Sequence, residues 1–387
     1  MKPAILGGAP AFEPPLAFAR PTTEDPRRVL TMMEHSLASG MLTNGPLVRH
    51  LEERAADHFG ARYCVAVASC TLGLTLVIQA LDVKGPVALP SFTFSATAHA
   101  IRWNGLPPAF ADCDPASWTL RPQDVAFGAE LIIGVHVSGV PCDVTGLETL
   151  AATTGAALIF DAAHGAGSLV DIGEGPVPLG RFGRAEVFSL TPTKVLSGAE
   201  GGLVVTDDAD LAAQLRIARD YGNPGDYDTR FAGLNARLSE FHAALALASL
   251  DHLEARVSHR NRVADHYREV LGDLPGIRFQ QVPLGARSSY KDFTILLEGE
   301  AFGASRDTVV RALRAEGIDT RPYYSPPVHR QIAYREVATP ELPVTDQLAA
   351  RVISLPMWSH LPLEAVERIG DAMDRIHNHA DEVGHTG

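Results

Sequence analysis

The chain has 387 residues, a formal net charge of -13 and 46% hydrophobic residues. That length allows about two domains, and the apolar content supplies a sizeable core, which excludes disorder as the default. The acidic balance excludes a global basic field of the kind that holds nucleic acid or an anionic membrane, but it leaves small anionic ligands open to local donors.

Residues 1–45 are rich in proline and polar turns, with one expected helix over 27–38. No long apolar run opens the chain, so neither a signal peptide nor a membrane span is expected. Gly45-Pro46 then starts a helix on which Leu47, Leu51, Ala55 and Phe59 share a face. Short β-rich runs follow at 63–68, 86–90, 108–112, 131–137, 157–161, 186–189 and 202–206, with helices at 71–81, 93–103 and 146–154 between several of them. The runs are apolar without strict alternation, so their strands are buried on both faces. Alternation of such strands with helices gives an α/β fold with a mainly parallel sheet.

After Thr206 the pattern changes. A helix is expected over 208–219, a glycine-rich exposed excursion over 220–233, and a long helix over 239–271 that breaks near Arg256. Strands at 277–281 and 293–297, helices at 305–316 and 362–376, and a frayed tail at 381–387 complete the chain. This α+β layout suits a smaller second domain, with the boundary near Asp251, so that residues 1–250 form a large domain and 251–387 a C-terminal one. The four cysteines, Cys64, Cys70, Cys113 and Cys142, form no C-x-x-C pair. A disulfide framework or a metal site is therefore not expected, and a reducing, cytoplasmic compartment is.

Lys194 lies between an expected strand and its return strand, with Ser189 five positions before it and Gly201-Gly202 after it. A lysine that must reach an aldehyde needs such a setting: an anchoring strand, glycines for close backbone approach, and a hydroxyl for a phosphate. Asp161 ends the strand over 157–161, with His164 three residues on. At a carboxyl strand end it is placed either to cap a helix or to pair with a protonated pyridine nitrogen. Ser69-Cys70-Thr71 opens a helix, either as an ordinary cap or as a phosphate site. Phe92 and Phe94 stand at another strand–helix junction, where a ring stacks on a flat heteroaromatic or fills the core. No G-x-G-x-x-G follows the first strand, which disfavours a nicotinamide dehydrogenase.

In their order these segments resemble the DegT/StrS-type sugar aminotransferases, which have the fold-type I architecture of pyridoxal phosphate (PLP) enzymes. The resemblance rests on Leu42-Thr-Asn-Gly-Pro46, Ala68-Ser-Cys-Thr71, Pro90-Ser-Phe-Thr-Phe-Ser-Ala-Thr97, Phe160-Asp-Ala-Ala-His164, Pro192-Thr-Lys194, Glu200-Gly-Gly202, Gly233 to Glu240, Arg321-Pro-Tyr-Tyr324 and Ser354-Leu-Pro-Met357. It implies a seven-stranded sheet in the large domain and an internal aldimine between PLP and Lys194. Asp161 would hold the pyridinium, His164 would lie near the ring hydroxyl, and Phe94 would stack on the ring. Ser69, Cys70, Thr71 and Ser189 would bind the phosphate, with Asn235 reaching over from a second subunit of a homodimer. Arg321, Tyr323, Tyr324 and His329 would line the substrate entrance. The implied reaction moves an amino group from L-glutamate to a keto-sugar, first a nucleotide-linked 4-keto-6-deoxyhexose, then a 3-keto sugar or keto-cyclitol. Cys70 stands where the family commonly has glycine, Val195 where it has asparagine, and Thr191 where it has an aromatic or histidine. These departures bear on substrate identity. The retained lysine disfavours the family's deoxygenating branch, which carries histidine there. The alternatives left are another PLP reaction and a non-catalytic regulator on the same fold.

Overall fold

The computed structural model describes residues 1–23, 25–173 and 175–385. The first part runs α1 (Pro26–Ser39), α2 (Pro46–Phe59), β1 (Tyr63–Val67), α3 (Cys70–Ala80), β2 (Val87–Pro90), α4 (Ser95–Trp103), β3 (Pro108–Ala111), β4 (Leu131–Val135), α5 (Val144–Thr154), β5 (Ala157–Asp161), a small hairpin of β6 (Leu169–Asp171) and β7 (Pro176–Pro178), then β8 (Ala185–Ser189), β9 (Gly202–Thr206) and α6 (Ala209–Ala218). Seven strands form one sheet in the order β1-β9-β8-β5-β4-β2-β3. β9 runs antiparallel to both its neighbours, and every other pair is parallel. It is the return strand expected after Lys194. Alternate residues of β1 feed two different cores, Cys64 and Ala66 on one face and Val65 and Val67 on the other. A strand covered on both faces has no polar side to show, which is why these runs lack alternation.

The helix expected over 239–271 is two helices, α7 (Glu240–Asp251) and α8 (Leu253–Leu271), and the break falls at His252 instead of Arg256. Arg256 lies inside α8 because its buried guanidinium donates to Val195 O and Ser249 Oγ, which holds the helix against the Lys194 loop. Then follow β10 (Ile277–Phe279), β11 (Phe293–Leu297), α9 (Gly299–Phe302), α10 (Arg306–Ala315), α11 (Pro343–Arg351), β12 (Val352–Leu355), α12 (Leu363–Asn378) and α13 (Ala380–Gly384). β10, β11 and β12 form an antiparallel sheet, one face of which builds a second core, while Leu296 and Val352 on the other pack with Phe92, Trp118 and Val135 beside the large sheet.

Two further expectations are corrected. The tail is not frayed through its described length, since α13 buries Ala380 and Val383 in the second core. Thr386 and Gly387 lie outside the described residues. The N-terminal segment does not pack with the large sheet. Phe12, Ile5, Leu6 and Leu16 join the second core, and the buried Glu316 carboxylate accepts from Ala4 N and Ala11 N at 2.9 Å each. Sequence order hides this, because the partners lie about three hundred residues away.

Candidate active site

β1, β2, β5 and β8 all point the same way, so their carboxyl ends and the loops that follow meet at one edge of the sheet. That edge is where open α/β sheets bind ligands. Asp161 closes β5 and is 5% exposed. Its Oδ2 accepts from Thr97 Oγ1 at 2.7 Å and its Oδ1 from Ala163 N at 3.1 Å. Burial pushes its carboxyl above the ordinary range, against the opposing pull of those two bonds, Lys194 and His136. A carboxylate in this state gains stability from a cation brought beside it.

Lys194 sits on the turn after β8, where its amide donates to Thr191 O. Burial first, and then the like charge of Lys291, bring its ammonium down to about 8, opposed by Asp292, Cys70 and Asp161. An amine in that range is a base and nucleophile at near-neutral pH. His164 follows β5, and its Nδ1 accepts from Ser138 N at 3.2 Å. Burial and the charges of Lys194 and Lys291 hold its imidazole well below its usual value. It is therefore neutral, with Nε2 as the N–H donor.

Ser69 caps α3, its Oγ accepting from Leu72 N at 3.2 Å. The first amides of α3 lie at the same edge as Asp161, since Cys70 Sγ is 4.0 Å from Asp161 Oδ1. β9 comes so close to this helix start that a Cβ on Gly202 would lie 2.6 Å from Cys70 N, so only glycine fits. Thr71 is partly exposed in the first turn. Ser189 ends β8, buried, with its Oγ 3.4 Å from Thr191 Oγ1.

Of the two junction aromatics, Phe92 is core, edge-on to Trp118 and Tyr324. Phe94 is 61% exposed at the start of α4, and its carbonyl oxygen lies 3.3 Å from Thr97 Oγ1, whose proton goes to Asp161. Tyr323 and Tyr324 stack at 5.6 Å, and Tyr323 packs edge-on to Phe18. Arg321 pairs with Asp319 and lies 5.4 Å from the Phe18 ring. Asn235 is exposed and bridges Asp220 at the base of the excursion.

His329 departs from its expected place at an entrance. It is buried, with Nδ1 2.7 Å from Ser91 Oγ and Nε2 3.2 Å from Asp346 Oδ1. Those partners tie the loop after β2 to α11, which is a structural role.

Sequence reasoning missed Thr97, Lys291 and Asp292. Thr97 carried a signal, since it falls three residues after Phe94 on the same helix start. Lys291 and Asp292 form a buried ion pair of 2.7 Å just before β11, and nothing in their spacing to Lys194 announces it.

The chain matches the family model described as the DegT/DnrJ/EryC1/StrS aminotransferase family over residues 24–374. It is 35% identical to a UDP-N-acetyl-3-dehydro-alpha-D-glucosamine 3-aminotransferase of Acidithiobacillus ferrooxidans, covering 90% of this chain and 93% of that one. It is 29% identical to a dTDP-4-amino-4,6-dideoxy-D-glucose transaminase of Escherichia coli, covering 85% and 90%. Among solved structures it superposes on DesI crystallised in the presence of its TDP-sugar product with a TM-score of 0.91, at 38% identity over 98% of this chain and 97% of that one. The fold is accordingly that of the fold-type I PLP enzymes. With matches of this extent, the chain belongs to the DegT/DnrJ/EryC1/StrS aminotransferase family.

Proposed function

We propose that the chain is a PLP-dependent aminotransferase that moves an amino group from L-glutamate to a keto-sugar carried on a nucleotide. The carrying observation is the pairing of a buried, cation-seeking Asp161 with a Lys194 amine lowered to about 8 at the same sheet edge. The donor set fits the cofactor: Asp161 for a ring cation, Lys194 for an aldehyde, the α3 amides with Thr71 and Ser189 for a phosphate, and the exposed Phe94 face for a flat ring. When bound, PLP supplies an aldehyde and an electron-withdrawing ring.

The protein's own residues do the rest. Asp161, held in place by Thr97 and the Ala163 amide, supplies a negative charge once a ring cation lies beside it. Thr97 gives its one hydroxyl proton to Asp161, which fixes the carboxylate against the start of α4. His164 directs Nε2–H to an acceptor, because Ser138 occupies Nδ1. Lys194 Nζ carries a usable lone pair near neutral pH, and it is the group able to take a proton from a donor's α-carbon and give it back.

The acceptor pocket is assigned to Arg321, Tyr323, Tyr324 and the excursion over 220–233. A 4-keto-6-deoxyhexose is the first candidate, supported by the E. coli relative that acts at C4. A 3-keto sugar is the second, supported by the A. ferrooxidans relative that acts at C3. A homodimer with Asn235 contributed across the interface is the proposed assembly. It is supported by the exposed apolar side chains of Met41, Leu42 and Tyr221 on segments adjoining Asn235. Free, buried cysteines suit a reducing cytoplasm, and no described helix is long and apolar enough to cross a membrane. The domain boundary is proposed at the α7–α8 break.

The test is a panel of 4-keto and 3-keto nucleotide sugars and keto-cyclitols with L-glutamate, read by the mass of the product and by release of 2-oxoglutarate. Protein loaded with PLP that releases no 2-oxoglutarate from glutamate sinks the aminotransferase reading.

A further inference from the structure

A narrow crevice opens beside Lys194, between the N-terminal segment, α8 and the loop after β12. Four basic side chains line it, Lys194, Arg20, Arg256 and Arg260, and among the described residues no carboxylate does. Such a cluster stands out in a chain of net charge -13.

Two of these cations have no counter-ion of their own. Arg260 is 3% exposed, and its bonds go to neutral acceptors: Nε to Ser359 Oγ at 3.0 Å, and Nη1 to Tyr290 O at 2.8 Å and Lys291 O at 3.2 Å. Asp292, whose charge Arg260 feels, is paired with Lys291 at 2.7 Å. Arg20 is exposed and makes no ion pair with a described residue. Arg256 is used differently. It donates to Val195 O at 2.8 Å and to Thr22 O at 3.2 Å, which pins the N-terminal segment against the Lys194 loop.

A further donor lies in the same wall. Trp358 is 5% exposed and lines the crevice, and its Nε1–H is buried with no acceptor among the described residues. A buried N–H costs free energy unless an acceptor meets it, and a buried guanidinium costs more unless negative charge does. The free space is about 10 Å³, room for about one water-sized group. That admits a single carboxylate oxygen and excludes a hexose ring or a diphosphate.

We propose that the crevice seats a carboxylate oxygen of the amino-acid donor, with Arg260 and Arg20 supplying the charge and Trp358 the N–H. The proposal rests on the reading of Lys194 as the amine that moves the donor's α-proton, since that brings the donor to a wall of the same crevice. A keto-sugar ring carries no carboxylate, so these guanidinium and indole donors meet only one of the two substrates that take turns at the site.

Glutarate tests the proposal, because it offers donor-like carboxylates and no amine, and so binds without reacting. With PLP-loaded protein in a calorimeter, Arg20→Gln and Trp358→Phe are each expected to raise the glutarate Kd by about 3–10-fold. Arg20→Lys, which keeps the charge, is expected to raise it less than Arg20→Gln does. Arg260 is left intact, since it also holds the backbone at Tyr290 and Lys291. The KM for glutamate should rise in step with the glutarate Kd, and the KM for the keto-sugar should rise less. Glutarate that fails to bind wild type, or that binds either neutral variant as tightly as wild type, overturns the proposal. An equal rise in the keto-sugar KM overturns it too, by assigning the effect to packing. Release of 2-oxoglutarate from glutamate by wild type tests the underlying reading separately. No release sinks that reading, whatever glutarate does.

Discussion

Asp161 and Lys194 have opposite acid–base signatures, and each gives a prediction. Burial raises the Asp161 carboxyl, so cofactor-free folded protein keeps a proton that the unfolded chain has released. Stability therefore falls as pH rises from the ordinary carboxylate range through that raised value. Asp161→Asn removes the loss. The cofactor-free variant should be more stable than cofactor-free wild type at neutral pH by urea unfolding, and should bind PLP more weakly. A variant destabilised at neutral pH would count against the assignment. Lys194 runs the other way. Its folded value of about 8 lies below that of an unfolded lysine, so the unfolded state binds more protons between the two and stability rises with pH there. In cofactor-free protein, the reactivity of this amine toward an added aldehyde should climb with pH up to about 8 and then level off. Lys194→Met should cut the rate by about 10²–10⁴-fold in single-turnover measurements with glutamate. Phe94→Ala should weaken PLP binding by about 0.5–1.5 kcal/mol in a spectral titration, since its exposed ring has no other neighbour to stack on among the junction aromatics.

At the level of elements, the packing of α2 depends on one carboxylate from another helix. Glu240, 1% exposed at the start of α7, accepts from Gly45 N, Leu47 N and Val48 N at 2.9 Å each. These are orphan donors at a helix N-terminus, where negative charge is also favoured by the dipole. Glu240→Ala should cost about 2–3 kcal/mol of unfolding free energy in urea. A loss below half a kcal/mol would show that water replaces the carboxylate. The elements themselves were largely legible. The seven strands announced themselves because both faces are covered, and Pro46 and Ser69 marked the starts of α2 and α3. α11 and β12 were not legible. α11 is anchored by Asp112, which accepts from Val344 N and Thr345 N across 232 and 233 residues. Local propensity carries no trace of such a cap. The Lys194, Asp161 and Ser69–Thr71 positions were readable because strand ends and helix starts have sequence signatures. Lys291 was not, since only the tertiary bonds of Ser289 and Arg260 hold its segment beside the His164 loop.

Over the whole molecule, the N-terminal segment crosses to the second core and is fixed there by Glu316, which also pairs with Arg375 at 2.8 Å. Glu316→Ala should free this segment, with protease cleavage before Phe12 well ahead of global unfolding. Cleavage no faster than in wild type would show that the apolar contacts of Phe12 and Leu16 suffice. The same segment runs on past Phe18, which touches Tyr323, and Arg20, which lines the crevice beside Lys194. Its release should therefore be felt at the site as a raised KM. The described ends of the chain also meet on this side of the fold, where the turn at Ala4–Leu6 touches α13. They are close enough to be joined by a short peptide, and new ends can be opened in the exposed excursion over 220–233. Such a circular permutant would turn the crossing segment into a continuous connection, and would place the cut beside the surface proposed to receive a second subunit. Folding and self-association could then be measured apart from each other in one protein.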